Sequence, residues 1–109
     1  MRLKAHIWVN ALIRRAQAGG AMAAVIHRGD KDAGSVLLKL NFLSGQATLY
    51  APFTGLEGAR VWRVLQAQSA ETEIDVAIKR EINLDPDLWV VEIEDRHGRH
   101  FIDEPIEAI

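Results

Sequence analysis

The sequence predicts an α+β fold: a mainly antiparallel sheet of five or six strands with two helices packed on one face. Three observations carry this. Two stretches, 5–18 and about 70–83, place apolar residues at helical spacing. Between them, four runs alternate at period two and are joined by short turn signals. A further strongly apolar run, 88–94, follows the second helix. At 109 residues the expectation is a single domain spanning 1–109.

The elements follow in order. In 5–18, Ile7, Trp8, Ala11, Leu12 and Ala18 share a broad apolar face. His6, Asn10, Arg14 and Gln17 form one polar stripe. Gly19-Gly20 supplies the stop, and Arg14 and Arg15 suit the negative end of the helix dipole. A competing reading starts from the alternation of Arg2 to Ile7, which fits an extended strand over residues 2–9, with Asn10 capping a shorter helix. A meander is expected next. Its strands are 22–28, 35–42, 46–51 and 60–66, with turns at Gly29–Gly34 and Ser44-Gly45 and a loop from Pro52 to Gly58. Val36, Leu38, Leu40 and Phe42 share one face of the second strand; Ala47, Leu49 and Ala51 share one face of the third.

In the second helix Ile74, Ala77, Ile78 and Ile82 align. Ser69 is the expected N-cap, and Asp75 with Lys79 forms an i,i+4 pair. Asp85-Pro86-Asp87 ends the helix. Trp89, Val91 and Ile93 point inward from 88–94. Asp95–Arg99 is a turn, His100-Phe101-Ile102 returns as a short strand, and the acidic tail 103–109 is loose.

Composition narrows the function. Hydrophobic residues make up 49% and charged residues 26%, which argues for a soluble globular chain. With no cysteine, thiolate catalysis, disulfides and cysteine-held clusters are excluded. The net charge of −2 argues against a purely electrostatic nucleic-acid binder. Charge is uneven: residues 1–54 carry +5 and residues 55–109 carry −7. Either the halves attract within the fold, or a basic face awaits an acidic partner. No apolar run reaches membrane-spanning length and no signal-peptide core is present, so the cytoplasm is the expected location.

The motif search is mostly negative. No phosphate-binding loop exists, and none of the three serines lies in a nucleophile elbow. His97 and His100 lie three apart beside acidic residues, a pattern that reads first as a solvated hairpin tip. Asp85, Asp87, Glu92 and Glu94 form two i,i+2 carboxylate pairs, a candidate site for a hard cation or for acid-base work. Turns and an outward strand face look the same. Arg14, Arg15, Arg28 and Asp30 would form one polar contact group if the end of the first helix met the first turn.

Several strings also carry a resemblance. Arg2-Leu3 with Ile7-Trp8-Val9, the pair Arg14-Arg15, Arg28-Gly29-Asp30 with Ala33-Gly34, and Asp85-Pro86-Asp87-Leu88-Trp89-Val90-Val91-Glu92-Ile93-Glu94 stand together. Over nearly its whole length the chain resembles a small alphaproteobacterial family known as domain of unknown function 1491. The resemblance implies a short stand-alone bacterial protein and brings no activity, cofactor or catalytic residue. Three functions compete. The leading expectation is a non-enzymatic binding or protein-interaction module with an unidentified protein partner. The second is a small metal-dependent hydrolase or nuclease using the clustered carboxylates. The third is a structural homo-oligomer paired through an edge strand. The balance leans away from an enzyme. No cofactor, resident metal, membrane or nucleic acid is expected.

Overall fold

A computed structural model describes residues 4–54 and 60–107. The elements are α1 (Ala5–Ala18), β1 (Met22–His27), β2 (Val36–Asn41), β3 (Gln46–Thr54), β4 (Arg60–Ala70), α2 (Glu71–Leu84), β5 (Trp89–Glu94) and β6 (Ile106–Glu107). The α+β class is as the sequence predicts. The strands form one sheet in the order β1-β5-β2-β3-β4-β6. It is mixed: β1–β5, β2–β3 and β3–β4 run antiparallel, while β2–β5 and β4–β6 run parallel. The expected meander is interrupted, because β5 inserts between β1 and β2.

The sequence reading expected both helices on one face; instead they flank the sheet. Trp8, Val9, Leu12 and Ala16 of α1 pack on Val36, Leu38, Leu40, Trp89, Val91 and Ile93. Ile74 and Ile78 of α2 pack on Leu37, Ala47, Leu49, Leu88 and Val90. Successive strand residues point to opposite faces. The near-continuous apolar runs in β2 and β5 therefore report a sheet covered on both sides.

Local structure explains the remaining differences. Residues 5–9 are helical, as the first reading of that stretch expects; Arg2 and Leu3 lie outside the described residues. Ser69 does not cap α2; its hydroxyl donates to the Ala67 carbonyl at 2.6 Å. The N-cap is Ala70, and the Glu71 N–H donates instead to the Gly45 carbonyl at 2.9 Å. Asp75 turns away from Lys79 to a buried lysine on β2. Residues 100–102 form no strand. The returning strand comes later, at Ile106–Glu107, within the tail expected to be loose. The Trp62 N–H donates to the Pro105 carbonyl at 2.8 Å there, and Ile106 packs against the α1-side core. Among the described residues no helix is long and apolar enough to cross a membrane.

Candidate functional site

β1 is the outermost strand, and among the described residues nothing pairs with its outer edge. Its register with β5 sets Ala23 against Ile93 and Val25 against Val91, on the α1 face. Met22 and Ala24 stand opposite Glu94 and Glu92, on the α2 face. Helix α2 packs on β3 and β4, toward the far side of the sheet, and leaves this margin bare. Met22 is accordingly 70% exposed, Ile26 48% and Val25 39%. The ladder shifts between Val25 and His27, which makes Ile26 the extra residue of a bulge. His27 closes the strand by donating from Nδ1 to the Leu88 carbonyl at 2.8 Å. The strand carries no Lys, Asp, Glu, Arg or Pro, the residues that usually blunt an edge.

At the Met22 end the edge opens into a cleft of about 270 Å³ bordered by Met22, Leu43, Glu94, Arg96 and His97. Leu43 adopts a left-handed backbone (φ +61°), and its N–H donates to Asn41 Oδ1 at 2.8 Å. The floor is rigid. Arg99 donates Nε and Nη2 to the two carboxylate oxygens of Asp95, both at 2.9 Å. Its backbone N–H adds a third bond at 2.8 Å. These bonds to Arg99 outweigh burial and hold the Asp95 carboxyl at a pKa of about 2.

The four residues grouped as an interaction site do not converge. Arg28 and Asp30 sit beside the start of α1, where the His6 N–H donates to the Lys31 carbonyl. Arg14 and Arg15 lie nearer the other end, eight and nine residues along the helix from His6, or ~12–13 Å. Arg14 is exposed. Arg15 donates from Nε to the Phe101 carbonyl at 3.1 Å and lies 3.4 Å from Asp103. The guanidinium carbon of Arg28 lies 5.5 Å from the centroid of the Trp89 ring.

The carboxylates also separate. Asp85 and Asp87 are exposed in the loop before β5, with the Asp87 N–H donating to Asp85 Oδ1 at 3.1 Å. Glu92 and Glu94 lie along the strand, ~16 Å or more beyond Asp87 in extended chain. Glu92 belongs to a network the sequence reading missed. Lys39, 4% exposed in mid-sheet, donates to Glu71 at 2.7 Å and Asp75 at 2.8 Å, with Glu92 at 3.2 Å. Asn41 ties Glu71 and Glu92 together at 3.2 and 3.1 Å. Burial alone would lower the Lys39 pKa, but the three carboxylates reverse that and raise it. The signal available in the sequence was a lone lysine in an apolar strand. The network also joins a cation of the basic half to three acids of the other, as Arg15 with Asp103 does. Part of the charge asymmetry is thus spent inside the fold. Among the described residues no group of three or more histidines and carboxylates is placed to hold a metal ion.

Two of the strings that carry the resemblance, the one from Arg28 to Gly34 and the one beginning at Asp85, meet at one end of the sheet. The Asp30 N–H donates to the Asp87 carbonyl at 2.8 Å, and Trp89 Nε1 donates to the Asp30 carbonyl at 2.7 Å. A Cβ on Gly29 or Gly34 would collide with the Asp87 carbonyl, so both positions demand glycine. Asp30 Oδ2 accepts from the N–H groups of Asp32 and Ala33. These residues build a knot between two loops.

The profile of the family described as "Protein of unknown function (DUF1491)" matches residues 3–103. A crystal structure of a DUF1491 family protein from Caulobacter crescentus CB15 is 47% identical, with TM-score 0.91, over 97% of this chain and 100% of that one. An NMR structure of a DUF1491 family protein from the same organism gives 47% identity and TM-score 0.88, over 98% of each chain. The solution structure of protein Atu0922 from A. tumefaciens is 32% identical, with TM-score 0.83, over 98% of each chain. No curated protein matches.

Proposed function

The chain belongs to the DUF1491 family, and we propose that it works as a non-enzymatic interaction module that accepts a polypeptide strand along the outer edge of β1. The observation that carries this reading is the uncharged edge strand with exposed Met22, Val25 and Ile26. Strand addition supplies affinity through main-chain hydrogen bonds, and the alternating side chains supply selectivity. The cytoplasm is taken as its setting. The carboxylate-based hydrolase reading finds less support, because Glu92 is bound to Lys39 and Asn41 while Asp85 and Asp87 lie beyond the other end of the strand.

A test places a lysine on the edge. Val25→Lys should abolish capture of the partner by tagged protein in its own bacterium. Stability should stay within about 1 kcal/mol, because the residue is already partly exposed. Equal capture by wild type and a folded Val25→Lys variant would sink the reading.

A further inference from the structure

We infer that the outer edge of β4 is a second docking site, built for an extended acidic segment of a partner protein, and that Asp103–Glu107 occupy it as a resident stand-in. The site lies at the opposite edge of the sheet from β1 and is independent of the reading given to that strand.

The tail shows what the edge recognises. Each of its three acids meets an arginine. Asp103 lies 3.4 Å from Arg15 of α1, and Glu104 Oε1 accepts from Arg60 Nε at 3.0 Å. Glu107 stands beside Arg63 in the parallel register of β4 and β6, on the same face of the sheet. Between the acids, the Trp62 N–H donates to the Pro105 carbonyl at 2.8 Å, and Ile106 packs against the α1-side core. Main-chain hydrogen bonds combined with alternating side-chain contacts are how an added strand is recognised. Here the contacts select acids.

The two sides of this contact differ in firmness. The receiving side is fixed. Trp62 is fully buried and stacks on Trp8, Arg60 lies over the Trp8 ring at 4.6 Å, and Arg15 donates to the Phe101 carbonyl. The occupant is slight. The Asp103 side chain is 62% exposed, Glu107 is exposed, and β6 is two residues long. Terminal segments of this kind open at low cost. The tail also leaves donors unused: among the described residues, the buried Nη2 atoms of Arg15 and Arg60 have no hydrogen-bond partner. Nor does it cover the whole strand. β4 runs on to Ala70, while β6 pairs only with Trp62 and Arg63. A longer acidic strand gains both the idle donors and the uncovered edge, and so displaces the tail. Weaker ligands are kept out by it.

The experiment measures, by fluorescence anisotropy up to ~1 mM, binding of a labelled peptide with the sequence Ile102-Asp103-Glu104-Pro105-Ile106-Glu107 to the full chain. Wild type should bind it weakly, because its own tail competes from within the same chain. Glu104→Ala loosens that tail and should tighten binding at least about tenfold. Asp103→Ala removes only an exposed carboxylate and should give a smaller gain; it serves where Glu104→Ala destabilises Trp62. Adding Arg60→Glu to Glu104→Ala should abolish binding of this peptide and create binding of a peptide carrying Glu104→Lys. Opening variants that are folded by circular dichroism yet bind no more tightly than wild type overturn the inference. So does tight binding that survives Arg60→Glu.

Discussion

The two edges of the sheet are finished in opposite ways. At the β4 edge, Trp62 is wholly buried, stacks on Trp8 with centroids 5.3 Å apart, and donates its indole N–H to Glu104 at 2.8 Å. Arg60 donates to the same carboxylate at 3.0 Å and lies over the Trp8 ring at 4.6 Å. Residues 101–107 strap this corner, and β6 pairs with Trp62 and Arg63. The β1 edge has none of this among the described residues: Met22–Ile26 are apolar, and Met22, Val25 and Ile26 are exposed. A chain that covers one edge with a strap, a short strand and an arginine has the means to protect an edge. The strand-addition proposal rests on the other edge being left bare.

Equivalent truncations should therefore differ sharply between the edges. The largest effect is expected at the strapped edge. Trp62→Ala removes a fully buried aromatic and should cost roughly 3–5 kcal/mol, read from urea denaturation. A cost below ~1 kcal/mol would mean the strap does not depend on this residue.

The second effect lies at His100, just before the strap. Burial lowers the His100 pKa, and its Nδ1 accepts the Ile102 N–H at 2.9 Å. The unfolded chain then takes up this proton first as pH falls. The contribution is fully present above ~6.5, the ordinary histidine value, and declines as pH falls from there toward the lower folded value. His100→Asn should flatten that part of the stability–pH curve; an unchanged slope would remove His100 as its source. The smallest effect belongs to β1. Ile26→Thr should shift stability by no more than about 0.5 kcal/mol, because the side chain is already half exposed. A larger loss would show that the edge is covered within the monomer.

Much of the local structure was legible because period reports burial. The first helix matches at both ends, and Trp89, Val91 and Ile93 face the core as their alternation implies. The strand order was not legible. Nothing in the alternation of 88–94 says that it slides between the first two strands and runs parallel to one of them. The helix faces failed for the same reason: a doubly covered sheet shows in Leu37 and Val90, apolar residues on the face opposite Leu38 and Val91. The Lys39 network was not legible because its carboxylates come from α2 and β5, 32 to 53 positions away. The bare margin at Met22 and Ile26 could be found only once the position of α2 was known.

The insertion of β5 also sets the order in which the molecule can assemble. β1 and β2 leave the ribosome early but never pair with each other; the strand between them is made after α2. The hydrogen bond from Trp89 to Asp30 spans 59 positions, so the seam closes only when most of the chain is available. Until then both strands wait with open sides, and the apolar run Met22–Ile26 is exposed in company with Val36–Leu40. Contacts of such separation are formed late and slowly. The nascent chain is thus most vulnerable to wrong strand partners in the interval between the synthesis of β2 and the arrival of β5.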